Sequence, residues 1–504
     1  MRLGIDFGTT RTVVAVVQGG RQPLAAFDDA GEFRDYLPGI AALRDGELLV
    51  GWPAARALEN GSAQHAVRSI KRVASALAPD DPIPQLPGIS ALELVTAFLV
   101  ELRTSLVERS NVDITSPLEA MLAVPANSGS RQRWLTLEAF RRAGFAPIGL
   151  INEPTAAAIE FAARYIDLGK RSPKRYVVVY DLGGGTFDTS AVSLQGRNFQ
   201  LIASEGLSRV GGDDFDALIL DAAGVAHSAA TLERAREAKE TLRTSTRKLH
   251  LELGEAFNHE KSASGDGAKT IDVADLYARA QPLIDRTIAQ TELLLARLTN
   301  YGIDPDSPKE LGGIYLVGGG AMFPAVSRAL RARFGRKLQL APQPFAATAV
   351  GLAIAADPDA HVMIREAVTR HFGVWREADS GTDKVFDSLL GKHAAAPTVV
   401  ERRYRPTHPV GHLRFVECGA LDAAGQPVQD LVPWVDIYFP YDPALANRRA
   451  DDFVKVDNRR RSDLMTNEIA ETYTYAPDGT ISVVIQNVTQ GYSRNYSLGV
   501  LRTG

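Results

Sequence analysis

The chain has 504 residues, of which 45% are hydrophobic and 23% charged, and its formal net charge at pH 7 is -4. This composition excludes a disordered or fibrous protein, and the length predicts about three domains or lobes of roughly 100–200 residues each. The slight negative charge argues against general nucleic-acid binding, which needs an excess of Lys and Arg to displace counterions.

The first residues, MRLGIDFGTT, lack the charged and apolar regions of a secretory signal. No run approaches the roughly 18–20 apolar residues that span a bilayer. The single cysteine, Cys418, cannot form an internal disulfide, which is typical of a reducing compartment. We therefore expect a cytoplasmic protein with neither a membrane nor a nucleic acid among its partners.

The first predicted element is a β-hairpin in residues 3–17, where two apolar runs flank Asp6 and a Gly/Thr turn. Residues 176–194 repeat this design around Asp181. The apolar runs are rich in β-branched residues, as expected for strands that helices cover on both faces. The repeat predicts two similar lobes, each of which begins with a hairpin.

Helical patterns alternate with these predicted strands near residues 92–110, 131–144 and 276–300. Such alternation indicates an α/β fold. Between them, Glu153 stands after a strand-like run and just before Pro154, which favours the start of a helix. A carboxylate there can orient an attacking water, or it can simply stabilise the positive end of the helix dipole.

Two more Gly-rich turns follow the second hairpin. VGGDDFDALI at 210–219 is the weaker signal, whereas residues 312–330 predict a strand, a triple-Gly turn and a helix that begins near Pro324. A turn without bulky side chains lets a nucleotide approach the backbone at a helix N-terminus. Residues 261–269, KSASGDGAK, predict an exposed hairpin tip.

The composition changes after residue 356. Few helical patterns follow, and short β-prone runs are separated by Gly, Pro, Asp and Asn. We expect an α/β fold followed by an antiparallel β-sandwich-like domain. The predicted bounds are an α/β domain at 1–356 with lobes at about 1–173 and 174–356, a linker at 357–371, and a β-rich domain at 372–504.

The two Gly/Thr turns are suited to holding a triphosphate. Without bulky Cβ groups, backbone N–H groups can point at phosphate oxygens, and Thr hydroxyls add donors. Asp6 and Asp181 would then lie at the mouth between the lobes and hold a magnesium ion through waters. A single such turn is more often an ordinary hairpin, but two copies in matching contexts favour phosphate binding.

Five segments, taken together, resemble the motifs of the actin-like, ribonuclease H-like ATPase superfamily, and all but LVGGGAM resemble in particular its 70-kDa heat-shock (DnaK-like) chaperones. The segments are IDFGTT, INEPTAAAI, YDLGGGTFD, VGGDDFD and LVGGGAM. SIKRV at 69–73 is similar to the family segment that carries a catalytic lysine. The resemblance covers about residues 2–356 and is weaker beyond them, where the last predicted strands are similar to the family's peptide-binding β domain.

The resemblance implies a two-lobed ATPase with ATP or ADP and Mg²⁺ as cofactors. It implies catalytic roles for Lys71, Glu153, Asp181 and Thr186, and a metal-positioning role for Asp6 and Asp181. It also implies nucleotide contacts by Gly8, Thr9, Thr10, Gly183, Gly184, Gly185, Gly211, Gly212, Lys239, Arg243, Gly318, Gly319, Gly320 and Met322.

The adenine end departs from the family pattern. Met322 replaces the arginine that stacks on the base, Phe345 stands at an acidic position, and Arg243 replaces a small hydroxyl residue. One interpretation is that Arg243 stacks on the base from the opposite side. The alternative is that these are solvent-facing substitutions with looser nucleotide binding.

The resemblance thus implies a divergent, bacterial-type chaperone that hydrolyses ATP slowly and binds unfolded or extended peptides, with a co-chaperone as a further partner. The family's acidic-leucine linker and helical lid are absent from the pattern, so we expect weak coupling and fast peptide exchange. Two alternatives remain: a nucleotide-dependent interaction module without hydrolysis, and a small-molecule kinase of the same fold.

Overall fold

The structure is a computed structural model. It describes residues 1–504 except 115–116, 129, 167–172, 254–267, 308, 366–369, 379–382, 392–393, 395–396, 430, 477–479 and 499–504. The chain forms two compact units, residues 1–126 with 136–364, and residues 127–135 with 365–504. In the described part of the chain, no helix combines the length and apolar character that a membrane crossing needs.

The first lobe is built on a five-stranded sheet in the order β10-β9-β1-β2-β5. The antiparallel hairpin of β1 and β2 was predicted from the sequence, and β9 and β10 continue the sheet in parallel. Its elements are β1 (Arg2–Phe7), β2 (Arg11–Val16), β3 (Phe27–Asp29), β4 (Glu32–Arg34), β5 (Leu37–Pro38), β6 (Ile40–Arg44), β7 (Glu47–Val50), α1 (Trp52–Glu59), β8 (His65–Arg68), α2 (Ile70–Ser75), α3 (Ala91–Glu108), β9 (Glu119–Val124), α4 (Ser130–Arg142), β10 (Ala146–Asn152) and α5 (Glu153–Tyr165).

The second lobe repeats the plan with a six-stranded sheet in the order β17-β16-β11-β12-β13-β18. The hairpin of β11 and β12 is the second one predicted, and β16 joins β11 in parallel. Its elements are β11 (Tyr176–Leu182), β12 (Phe187–Gln195), β13 (Asn198–Leu207), α6 (Gly212–Ala223), α7 (Ala229–Thr241), β14 (Lys248–Glu252), β15 (Ala268–Asp272), α8 (Val273–Arg297), β16 (Leu311–Val317), α9 (Pro324–Phe334), β17 (Leu338–Leu340), α10 (Ala347–Ala356) and β18 (Met363–Arg365). The predicted hairpin tip at 261–269 lies mostly outside the described residues.

Two helices exchange places between the lobes. Helix α5 follows β10 of the first sheet but packs on β11, β12 and β13 of the second, whereas α10 follows β17 and packs on β1, β2 and β9. The helices also cross each other so closely that a Cβ on Gly351 would lie 1.8 Å from the carbonyl oxygen of Ala156. Ala156, one of the small residues of INEPTAAAI, lies at this crossing.

The connector after α10 begins as part of the second lobe. The amide of Met363 donates to the carbonyl of Arg197 at 2.9 Å, and β18 extends the sheet beside β13. Val362 and Ile364 pack on the apolar core between the exchanged helices. The linker bounds of 357–371 stay a prediction.

The second unit is a β-rich structure of two four-stranded antiparallel sheets, in the orders β20-β19-β22-β25 and β21-β26-β27-β28. Side chains of both sheets share one apolar core, which includes Phe372, Phe415 and Val483. This confirms the predicted fold class of an α/β ATPase fold with a β-rich second part. Its strands are β19 (His371–Ala378), β20 (Asp383–Leu390), β21 (Thr398–Tyr404), β22 (Val410–Cys418), β23 (Ala420–Leu421), β24 (Pro427–Gln429), β25 (Val432–Pro440), β26 (Ile469–Tyr475), β27 (Ile481–Asn487) and β28 (Tyr492–Ser497).

A cluster of charged side chains, which we call the β clasp, links the two sheets of this unit. It consists of Arg376, Asp387, Arg402 and Glu471. Glu471 is fully buried and accepts from Arg376 at 2.6 Å and from the hydroxyls of Tyr404 and Tyr473 at 2.6 and 2.7 Å. Asp387 accepts from Arg376 at 2.7 Å and from two nitrogens of Arg402 at 2.9 and 3.0 Å.

Candidate functional site

The two Gly/Thr turns lie against each other between the lobes. A Cβ on Gly184 would lie 2.6 Å from the hydroxyl oxygen of Thr10, and one on Gly185 would lie 3.1 Å from the methyl carbon of Thr9. The second turn is closed by a hydrogen bond from the amide of Gly183 to the carbonyl of Thr186 at 3.0 Å. Glycine is therefore required at 184, because any side chain there would push the turns apart.

Lys71 and Glu153 form an ion pair at the floor of this cleft, with 2.5 Å between Nζ and Oε1. Helix α2 presents Lys71, which is 7% exposed, and α5 presents Glu153 from its first turn. Ser69 precedes α2 with a left-handed φ of 62° and donates to Asp213 of the other lobe at 2.8 Å. This hydrogen bond thus holds the strained backbone of Ser69 in place, two residues before Lys71.

Three further carboxylates surround this ion pair. Burial raises the pKa of Asp6 and that of Asp188 to about 7, with repulsion from Glu153 adding to the effect and Lys71 opposing it. Burial and the neighbouring acids also raise the pKa of Asp181 well above its usual value. Burial opposes the charge on Lys71, but Glu153 and Asp6 outweigh it and raise the pKa of the lysine.

This donor set fits a magnesium ion. Mg²⁺ prefers oxygen ligands and is commonly held by one or two carboxylates with waters and phosphate oxygens. Four carboxylates share one lysine as their counter-charge, so a divalent cation would relieve their mutual repulsion. In the described part of the chain, no three His, Cys, Asp or Glu side chains form a direct metal site, and magnesium held through water does not require one.

Lys239 lies on α7, beside the third Gly-rich turn. Its Nζ donates to the carbonyl of Gly212 at 2.8 Å and pairs with the fully buried Asp216 at 2.6 Å. A Cβ on Gly211 would lie 2.6 Å from the carbonyl oxygen of Gly184. The third turn and the second Gly/Thr turn are therefore in direct backbone contact.

Two residues expected at the adenine end, Arg243 and Met322, have different surroundings. The guanidinium of Arg243 donates to the carbonyls of Glu240 and Leu242 at 2.8 and 3.0 Å, where it caps the C-terminus of α7. Met322 is 55% exposed. Base stacking by Arg243 stays a prediction, and it would require the arginine to leave these carbonyls.

The triple-Gly turn at 318–320 lies against the second hairpin. Gly318 has a left-handed φ of 85°, and a Cβ there would lie 2.3 Å from the carbonyl of Leu182. Its amide donates to the carbonyl of Pro344 at 2.8 Å, which places Phe345 next to this turn. A Cβ on Gly320 would lie 2.9 Å from the carbonyl oxygen of Gly183.

Sequence reasoning missed several charged residues of the cleft. Asp188 pairs in register with Asp181 across the second hairpin, and the final letter of GGGTFD was the signal that could have found it. Asp216 ends VGGDDFD in the same way. Arg68 of the first lobe bonds to Glu233 of the second at 3.0 Å, and no local pattern in the sequence predicts that contact.

The paired hairpins, the exchanged helices and the charged cleft define a two-lobed ATPase fold of the actin-like class. A family model described as Hsp70 protein matches residues 89–363. This match covers more than half of the sequence, and the chain belongs to the Hsp70 family.

Three relatives support the assignment. The chain is similar to the chaperone protein HscA homolog of Chromobacterium violaceum, at 33% identity over 71% of this chain and 58% of that protein. It is 30% identical to the chaperone protein HscA of Pectobacterium carotovorum, over 74% of this chain and 62% of that protein, and 32% identical to the HscA homolog of Aromatoleum aromaticum, over 71% and 58%. The matches thus span about three fifths of the length of these relatives.

Proposed function

We propose that this protein binds Mg-ATP between its two lobes, hydrolyses it slowly, and uses the nucleotide state to control peptide binding by its β-rich unit. The observation that carries the proposal is the Lys71–Glu153 ion pair, set among the carboxylates of Asp6, Asp181 and Asp188 at the floor of two facing phosphate turns. Such an arrangement suits phosphoryl transfer, which is mostly positioning and electrostatic stabilisation.

The backbone amides of the turns at Gly8–Thr10 and Gly183–Thr186 would bind the phosphates. Asp6 and Asp181 would orient the water molecules around the magnesium ion, which when bound neutralises charge on the phosphate oxygens. Lys71 would donate to the terminal phosphate, and its displacement from Glu153 would free that carboxylate to orient the attacking water with Thr186. Asp188 would hold a proton or a metal-bound water close by.

Support for coupling to the β-rich unit comes from the connector and from the family. The backbone of Met363 is hydrogen-bonded next to β13 in the second lobe, so movement of this lobe would be transmitted to the residues that follow. The relatives to which the chain is similar are named as chaperone proteins. Extended peptides are the ligands that sheet edges and apolar grooves of β domains accept.

The test is steady-state ATPase activity of the full chain with magnesium, measured with and without an unfolded peptide. We expect slow turnover that requires magnesium and rises with peptide. Calorimetry without turnover separates the alternatives: binding of Mg-ATP with no hydrolysis would support the interaction module, and no binding at millimolar nucleotide would overturn the proposal.

A further inference from the structure

Arg11 lies where three parts of the predicted nucleotide site meet. It begins β2 directly after the first phosphate turn. Its Nη2 bonds to Oε2 of Glu240 in the second lobe at 2.6 Å, and Glu240 directly follows Lys239 on α7. The ion pair therefore crosses the cleft between residues adjacent to two predicted nucleotide contacts.

Aromatic rings hold the Arg11 guanidinium in this position. It lies 4.3 Å from the centre of the Tyr36 ring and 5.8 Å from that of Phe345, the residue beside the triple-Gly turn. Tyr36 is itself buried and packs on Trp52 with 5.2 Å between ring centres. An arginine fixed in this way loses less side-chain entropy on pairing than a freely rotating one.

Glu240 uses both of its oxygens. While Oε2 accepts from Arg11, Oε1 accepts from Arg236 at 2.8 Å. Arg236 in turn bonds to Glu233, which bonds to Arg68 of the first lobe. The pairs form a chain of alternating charge that crosses the cleft twice.

The two crossings differ in burial. At the inner crossing, the side chains of Arg68, Glu233 and Asp216 are 11%, 14% and 0% exposed. At the outer crossing, Arg11 is 19% and Glu240 is 41% exposed. Water can therefore replace the partners of the outer pair at small cost, whereas opening the inner one would strand buried charges.

We propose that the Arg11–Glu240 pair is a strap across the nucleotide cleft, and that bound nucleotide leaves only when this pair opens. The strap rests on the proposed function, since it acts on the nucleotide of that same site. In this proposal Arg11 is a positioning residue, whose ion pair with Glu240 determines the dissociation rate of the nucleotide. A partly exposed ion pair is also screened by salt, so the dwell time of nucleotide would fall as ionic strength rises.

The experiment is stopped-flow release of a fluorescent ADP analogue, with magnesium, from the full-length chain and from Glu240→Gln. The amide keeps the size of the carboxylate and removes its charge. We expect release to be about five-fold faster in the variant, the range of a partly exposed ion pair. Raising NaCl from about 0.05 to 0.5 M should speed release more in the unaltered chain than in the variant.

Two further variants sharpen the result. Glu292→Gln removes an equally exposed carboxylate, 40% against 41%, whose partner Arg333 belongs to the same lobe, and release should not change. The double variant Arg11→Gln/Glu240→Gln should release no faster than either single one, because residues that act as a pair are not additive.

The outcomes separate this inference from the proposed function. If the unaltered chain fails to bind Mg-ADP, the proposed function is lost. If it binds and release from both Glu240→Gln and Arg11→Gln matches that of the unaltered chain, the strap alone is overturned. Rates that multiply in the double variant would likewise contradict a paired role.

Discussion

Each unit of the protein buries a cluster of charged side chains, and the two clusters differ in balance. In the cleft of the first unit, four carboxylates share one lysine, and the pKa values of Asp6 and Asp188 are raised to about 7. In the β clasp, two arginines face two carboxylates, and the arginines lower the pKa of Asp387 although burial opposes them.

The comparison distinguishes a charged cluster suited to binding a ligand, in the cleft, from one that stabilises the fold, in the β clasp. Charges that are paired within the fold need no ligand, and their hydrogen bonds are complete. Charges of one sign that outnumber their partners store repulsion, which a cation or a proton can relieve. An excess of buried charge, more than burial itself, therefore makes the cleft the candidate functional site.

The largest expected effect comes from breaking the β clasp. In Glu471→Gln, Arg376 keeps Asp387 but loses its second carboxylate, and the hydroxyls of Tyr404 and Tyr473 lose a charged acceptor at a fully buried position. We therefore expect the free energy of unfolding to fall by about 3 kcal/mol. Chemical unfolding followed by tryptophan fluorescence, to which the buried Trp434 of this unit contributes, measures the loss. Glu468→Gln is the matched control, because its partner Arg403 is 60% exposed. A loss no greater than that of the control would show that the clasp contributes little.

The next effect concerns Lys71, the lysine that pairs with Glu153 in the cleft. In Lys71→Ala, turnover should fall by about a hundredfold or more while ATP affinity changes little, because the lysine would act mainly on charge that develops in the transition state. Single-turnover hydrolysis and calorimetry measure the two quantities separately. Lys248→Ala, at an exposed pair in the second lobe, should change neither. An equal loss of affinity and turnover would make Lys71 an ordinary binding residue.

The pH dependence of stability tests the imbalance in the cleft directly. Because the pKa values of Asp6 and Asp188 rise from 3.8 to about 7 on folding, the folded state binds protons more tightly than the unfolded state. The stability that these protons contribute is complete below about pH 4 and is lost as the pH rises through about 7. The melting temperature of the nucleotide-free, magnesium-free protein should therefore fall by a few °C between about pH 5.5 and 8.

Asp188→Asn provides the control for this pH effect. The amide cannot titrate, so part of the difference in melting temperature between the two pH values should disappear. If the difference in melting temperature between the two pH values were as large in the variant, the effect would belong to other titrating groups.

The smallest effect is expected at the edge of the β clasp. Arg402 is 36% exposed, and Asp387 keeps Arg376 as a partner when Arg402 is lost. Arg402→Lys should therefore cost about 0.5–1 kcal/mol, the loss of a two-nitrogen contact at a partly exposed site. Equilibrium unfolding in urea measures it, and a loss comparable to that of Glu471→Gln would mean that the clasp acts as one unit.

The sequence predicted what repeats locally and missed what depends on distant partners. Both hairpins, the start of α9 at Pro324 and the sheet-rich second unit were predicted, because each has a period or a turn signal of its own. Asp188 was within reach of the same reasoning, since it stands opposite Asp181 in the predicted hairpin. The pairs Arg11–Glu240 and Arg68–Glu233 span more than 160 residues, and no spacing rule indicates them.

The exchange of helices α5 and α10 has a consequence for synthesis of the protein. A Cβ on Gly4 would lie 2.2 Å from the backbone of Ala353, so β1 packs directly on α10, the last helix of the two lobes. At roughly 5–20 residues per second, a ribosome needs on the order of 20–70 s to travel between them. During that interval the face of the hairpin that α10 covers in the folded protein stays exposed, and exposed apolar surface of this kind favours aggregation.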